Sequence, residues 1–333
     1  EYQSLICGLT GMDQSNASLY EGATANVEAI NMATAQTGRS KVLVLQTLNP
    51  EYRRVINTLN GALGVEIVTV PFEDGAVDPS RVQELMNDKI AAVVMQYPNF
   101  FGSIEDIERI SEIAHAAGAL SIVSANPIAL GLIEAPGKLG ADIVTGEGQP
   151  LGIPLSFGGP YLGFIAAKKA LLRRMPGRIV GRTKDIDGKI GFVLTLQARE
   201  QHIRREKASS NICSNQALMA LNATIYMSLL GRDGIKEVAY QSFQKAHYMK
   251  RELAKVEGVS FPFTGSFFHE LVVKIPNARK VLGKMAKKGV FAGIPLDNWF
   301  TSLKDCVLIA VTEKRTKDEI DNYCNLLGGF ING

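Results

Sequence analysis

The chain has 333 residues, 36 Lys and Arg against 33 Asp and Glu, a formal net charge of +3, and 46% hydrophobic residues. This ordinary globular composition excludes disorder, collagen-like repeats and coiled coil, and a chain of this length makes about two domains. The four cysteines, Cys7, Cys213, Cys306 and Cys324, are scattered with no histidine at ligand spacing, so neither a metal site nor a disulfide framework is expected. No apolar run approaches the roughly 18 residues of a membrane span, and no charged-then-apolar leader opens the chain. A soluble, cytoplasmic setting is expected, with no membrane partner.

Tyr2-Gln3-Ser4-Leu5-Ile6-Cys7 reads like the middle of an amphipathic helix, so the chain is expected to be a fragment. Over the first 166 residues, short β-rich runs alternate with helical patterns, the signature of a mainly parallel α/β sheet. Candidate strands are 17–21, 42–46, 66–70, 91–96, 120–124, 141–145 and 161–166. Between them, Asn49-Pro50 and Asp78-Pro79 suit helix starts, and Ile107, Ile110, Ile113 and Ala114 share one helix face. From Arg173 to about Leu230 the pattern becomes a Gly- and Arg-rich loop followed by a long helical stretch. Beyond it come a helix over 236–256, strand-like 271–275, a helix after Pro276, strand-like 307–311, and a last helix from Thr316, whose spacing to Glu319 is that of a capping box. The expected division is a large domain over 1–230 and a small α+β domain over 231–333.

Three segments bear chemistry. Tyr20-Glu21-Gly22-Ala23-Thr24 ends a strand in a glycine turn that opens a helix, where backbone N–H groups make an anion site or simply a tight turn. The loop 146–161 after the sixth strand holds five glycines and three prolines, at the sheet edge where α/β proteins bind ligands. Glu147 in it is a solvated carboxylate or helix cap unless buried. The stretch 171–210 carries ten Lys and Arg against four acids, a balance of +6 that leaves −3 for the rest. It lacks the aromatic interleaving of a nucleic-acid surface and suits an anionic ligand, an acidic partner or a solvated face. His115, His202, His247 and His269 stand alone, and no G-x-S-x-G appears.

Seven strands in this order, the Gly22-Ala23-Thr24 turn and the special loop resemble the fold-type I enzymes that use pyridoxal phosphate. More closely, Asn16 to Ala25, Gly146-Glu147-Gly148-Gln149-Pro150-Leu151-Gly152 through Gly163, and Arg199 to Ala208 with Ser210-Asn211-Ile212-Cys213 are similar to the glycine cleavage system P-protein, above all its subunit 1 (alpha). The family carries a substantial segment ahead of the residues that match Tyr2-Gln3-Ser4. A chain without it is expected to assemble less well than a complete subunit.

The resemblance implies a fold-type I large domain with a smaller C-terminal domain. It also implies that the complex takes glycine as an aldimine on pyridoxal phosphate, releases CO2, and passes the aminomethyl carbon to the lipoyl arm of the H-protein. Laid on the superfamily pattern, Gln149 stands where the Schiff-base lysine belongs, and Val123-Ser124-Ala125-Asn126 where the pyridine-binding acid belongs. An amide forms no Schiff base, so no catalytic residue and no covalent cofactor are expected on this chain. Gly22, Ala23 and Thr24 then form a vestigial phosphate turn, and the cofactor belongs to subunit 2 (beta), with an α2β2 heterotetramer implied. Ser156, Gly158, Gly159 and Tyr161 are candidates for a contribution in trans. Arg178, Arg182, Arg199, Arg204 and Arg205 are candidates for a partner or anion surface, with a plain subunit interface as the alternative for both sets. Two other readings stay open: a free-standing pyridoxal enzyme using another lysine such as Lys207, and a structural or regulatory pseudoenzyme.

Overall fold

The computed structural model describes residues 1–208 and 210–333; Ser209, in the basic stretch 171–210, lies outside the described residues. Helix α1 (Tyr2–Thr10) leads into the short strand β1 (Gln14–Ser15). There follow α2 (Gly22–Thr37), β2 (Lys41–Leu45), α3 (Pro50–Ala62), β3 (Glu66–Val70), α4 (Pro79–Leu85), β4 (Ile90–Tyr97), α5 (Ile107–Ala116), β5 (Leu120–Ala125), β6 (Ile143–Glu147) and β7 (Gly163–Ala167). These strands form one seven-stranded sheet in the order β1-β7-β6-β5-β4-β2-β3. Its centre is parallel, and β7 runs antiparallel to both β6 and β1.

Local sequence explains most of these elements. The central strands are buried almost throughout, because helices cover both faces of a parallel sheet. The helix starts at Pro50 and Pro79 form as the Asx-Pro pairs imply: Asn49 and Asp78 accept the N–H groups of Glu51 and Ser80. Helices α2 and α3 line one apolar layer, and α1, α4 and α5 line the other. The shared face of α5, Ile107, Ile110, Ile113 and Ala114, lies wholly in that second layer.

The expected first strand, 17–21, is displaced. Strand β1 stops at Ser15, and Ser18 adopts φ 122° as the Asn16 side chain accepts its N–H. Only Leu19 then bridges to Gly163. The Ser18 hydroxyl instead accepts from the Gln216 N–H, which ties this bend to the start of a distant helix.

A second difference falls in the Arg-rich segment, which holds a hairpin, β8 (Ile179–Lys184) and β9 (Ile190–Thr195), where a loop is expected. After it come the short helix α6 (Gln201–Arg204) and the span α7 (Ala217–Leu253), which is two helical runs meeting at a kink at Gly231, with φ 60° and ψ −168°, close to where the sequence places the break between two helices. Strands β10 (Glu270–Lys274), β11 (Ile294–Pro295) and β12 (Cys306–Ala310) form a three-stranded antiparallel sheet. The C-terminal half of α7, α8 (Ala278–Ala286) and α9 (Lys317–Asn332) pack around it. Thr316 and Glu319 make the expected capping box at the start of α9. Among the described residues no helix is long and apolar enough to cross a membrane.

Candidate functional site

The carboxyl ends of β5 and β6 and the N-terminus of α2 meet at one edge of the large sheet, as α/β topology dictates. Glu147, the last residue of β6, is the centre of this edge. Its carboxylate accepts three backbone N–H groups: Gly22 at 3.0 Å, Gln149 at 3.0 Å and Leu162 at 3.1 Å. One side chain thereby joins the start of α2, the glycine-rich loop and the approach to β7. Burial pushes the Glu147 carboxyl above the ordinary glutamate range, opposed by the three N–H bonds and reinforced by the nearby Glu21 charge.

Glu21 is the N-cap of α2. Its two carboxylate oxygens accept the N–H groups of Ala23 at 2.5 Å and Thr24 at 2.9 Å. The Thr24 hydroxyl lies 3.3 Å from the Glu21 carbonyl, to which it donates. All three residues of the expected phosphate turn, Gly22, Ala23 and Thr24, thus spend their N–H donors on this chain's own carboxylates. Glu147 is the residue that sequence reasoning underrated, since it is 125 residues from the Gly22 N–H it captures.

The other two expected cofactor positions are closed in the same way. The Gln149 side-chain amide donates to the Ile153 carbonyl at 2.5 Å, turning along its own loop. Asn126 accepts the Ile128 N–H at 3.0 Å and so caps the turn that follows β5. Below them, Asn26 of α2 donates to Ser124 at 3.2 Å and accepts from Thr145 at 3.0 Å, a buried network that fixes α2 to β5 and β6.

Beside this edge lies a cavity of about 490 Å³ whose wall includes Asn126, Gln149, Tyr226, Ser242, His269 and Lys314. His269 presents a buried Nδ1 with no partner, and burial brings its pKa down to about 4, so it is neutral. Lys314 is the lysine that this wall holds, and nothing in its local sequence singles it out. Lys207, the alternative named from sequence, is exposed on the turn Arg205–Lys207 and is not part of the wall. Lys168 and Lys138 pair with Asp142 and Glu134. Asp142 also lies 2.7 Å from His115, which therefore does not stand alone.

The remaining expected residues lie elsewhere. Ser156 and Gly158 are exposed near the loop tip, and Gly159 and Tyr161 are partly covered. The basic residues separate into two kinds. Arg199 is half-buried and donates to the carbonyls of Leu196 and Gly177, and Arg204 donates to that of Ala198. Arg182 and Arg205 are exposed and Arg178 is partly so. The neighbouring hairpin is more apolar than its charge suggests: Ile186 is fully exposed, Phe192 is 67% exposed, and Ile190, Val193 and Leu194 accompany them. Phe157 at the loop tip is also fully exposed, and Leu218, Leu221, Ile225 and Leu229 form an exposed stripe at helical spacing on α7.

Sheet order, helix placement and the position of this edge define the frame of a fold-type I pyridoxal-phosphate enzyme. The residues at this edge do not fit such a cofactor: Gln149 and Asn126 offer amides where an amine and a carboxylate are needed, and the Gly22, Ala23 and Thr24 N–H groups are already bonded to Glu147 and Glu21. The chain belongs to the glycine cleavage system P-protein family, whose model matches residues 1–327. It is 53% identical over 329 residues to the probable glycine dehydrogenase (decarboxylating) subunit 1 of Carboxydothermus hydrogenoformans, covering 99% of this chain and 74% of that protein. A crystal structure of glycine decarboxylase (P-protein) of the glycine cleavage system, in inhibitor-bound form, matches with TM-score 0.94 and 40% identity over 99% of this chain and 74% of the other. Lactobacillus brevis glutamate decarboxylase shares the fold, with TM-score 0.72 at 14% identity over 99% of this chain and 78% of that one.

Proposed function

We propose that this chain is the cofactor-free subunit 1 of a two-chain glycine dehydrogenase (decarboxylating), and that subunit 2 carries the pyridoxal phosphate. One observation carries the reading: within a P-protein frame, Gln149, Asn126 and the Gly22–Thr24 turn are all closed on this chain's own backbone and carboxylates. The chain's contribution is then to complete the partner's site and to stabilise the assembly, and alone it is inactive. The lipoylated H-protein is the second partner, the assembly is an α2β2 heterotetramer, and the compartment is the cytoplasm. The division into 1–230 and 231–333 is retained as our reading of the two units.

The partner surface we assign differs in kind from a purely basic one. Exposed apolar residues of the hairpin, the loop tip and the α7 stripe form its centre, and Arg178, Arg182 and Arg205 its rim. Large exposed apolar area of this kind marks protein interfaces, and rim charges steer encounter more than they hold the complex. Ser156, Gly158, Gly159 and Tyr161 are offered to the partner's site from the same loop. Arg199 and Arg204 are assigned to holding the segment in shape.

Glycine–CO2 exchange tests the reading. Subunit 2 with H-protein should exchange poorly until this chain is added, and this chain with H-protein should not exchange at all. Full exchange by subunit 2 without this chain would leave only a structural or regulatory role. A visible cofactor band in the pure chain, fixed by borohydride, would instead make it a free-standing pyridoxal enzyme.

A further inference from the structure

We infer that Glu147, assisted by Glu21, is a built-in substitute for a cofactor phosphate, so that this chain rejects pyridoxal phosphate through a filled anion seat as well as through a missing lysine. The inference deepens the reading of this chain as the cofactor-free subunit and rests on it.

A phosphate at a strand-turn-helix junction is held by the first free N–H groups of the helix. In α2 those groups are consumed: Gly22 by Glu147 at 3.0 Å, and Ala23 and Thr24 by Glu21 at 2.5 and 2.9 Å. The Thr24 hydroxyl, the remaining donor, turns back to the Glu21 carbonyl. The turn is also tightly packed at Gly22. A methyl group built on Gly22 would lie 2.6 Å from the Tyr52 hydroxyl and 3.0 Å from the Glu147 nitrogen. An incoming dianion would therefore meet two acidic side chains of its own sign and three helix N–H groups that are already bonded.

Glu147 also does the structural work of a bound phosphate. By accepting from Gly22, Gln149 and Leu162 it clamps three segments that a ligand would otherwise bring together. On this account, restoring the lysine alone does not restore the cofactor.

The test uses the whole chain, with inorganic phosphate, pyridoxal phosphate and unphosphorylated pyridoxal as probes. Wild type should melt at the same temperature with and without phosphate at matched ionic strength. The variant E21S/E147S keeps a good helix cap at position 21 and opens the seat. It should melt below wild type and be raised by several degrees, saturably, by phosphate and pyridoxal phosphate but not by pyridoxal. Q149K should show no visible cofactor band that borohydride fixes, and Q149K/E21S/E147S should show one. A saturable rise of the wild-type melt with phosphate overturns the inference, as does a fixed band in Q149K alone or a folded E21S/E147S chain indifferent to phosphate. If E21S/E147S does not fold, the wild-type melt and the Q149K spectrum decide. Failure of the subunit reading has a different signature, which is glycine–CO2 exchange by subunit 2 without this chain.

Discussion

The carboxyl edge of the large sheet and the hairpin β8–β9 lie on one chain and treat their exposed chemistry in opposite ways. At the sheet edge every donor that a ligand would use is taken by Glu21 or Glu147, and both candidate cofactor side chains bond their own loops. In the hairpin, Ile186, Phe192 and Val193 stand in solvent with nothing to cover them among the described residues. At the edge the chain's own carboxylates meet the turn's N–H groups, because an unsatisfied buried donor is costly. A surface that serves a partner must stay open, because burying it within the chain would abolish the contact, and we assign the hairpin that role.

The sharpest way to break that contrast is to reopen the closed edge. Glu147→Ala removes the acceptor of three backbone N–H groups, each costing about 1–3 kcal/mol if left unpaired. Allowing for water entering the gap, we expect a loss of about 3 kcal/mol or more in urea denaturation. A loss under about 1 kcal/mol would mean that the edge is not self-sustaining. The open region should behave in the reverse way. Phe192→Ser should leave the stability of the isolated chain within about 0.5 kcal/mol. It should weaken pairing with subunit 2 by about tenfold or more, as truncation of a buried aromatic anchor does. Calorimetry of pairing and a thermal melt of the same variant check both halves, and a variant that melts low but pairs normally would reverse the assignment.

Much of the closed edge was legible only in part. The Asx-Pro helix starts and the Thr316–Glu319 capping box could be read because each is settled within a few residues. The expectation that Gln149 and Asn126 bear no cofactor comes from their position along the resemblance, which does not say where their side chains turn. The Glu147 clamp could not be read, because its three donors come from residues 22, 149 and 162 and only the finished sheet brings the first of them near. The hairpin was missed for another reason. Its apolar residues face outward, so the segment lacks the inward alternation by which strands are recognised, and the Gly- and Arg-rich stretch in which it lies suggests a loop. The available signal was Asp187-Gly188 between two runs rich in β-branched residues, a strong hairpin turn pair.

A smaller effect tests how far burial governs His269 in the wall of the cavity beside the closed edge. His269 is held neutral by burial, with its pKa brought down to about 4 from an ordinary 6.5. The unfolded chain then binds the extra proton first as pH falls. This contribution to stability is present above about pH 6.5 and is lost as pH falls through about 4. His269→Leu removes the titrating group and the unpartnered Nδ1 together, so its stability should decline less steeply over that window than that of wild type. Parallel acid limbs for the two chains would show that water or a ligand already reaches His269.

The smallest effect separates arginines that sequence alone treats as one set. Arg199 donates to the Leu196 and Gly177 carbonyls at 3.0 and 3.1 Å and is half-buried, so Arg199→Ala should cost about 1–2 kcal/mol of stability. Arg182 is exposed on β8 opposite Phe192, so Arg182→Ala should change stability by less than about 0.5 kcal/mol. Its effect should appear as slower association with subunit 2, and added salt should erase it, because a rim charge acts through steering over about a Debye length. Stopped-flow association at two ionic strengths, set beside urea denaturation of both variants, reads the two terms separately. Equal behaviour of the two variants in both measurements would mean that the basic segment acts as a single charged patch, and the division between a holding arginine and a steering one would fall.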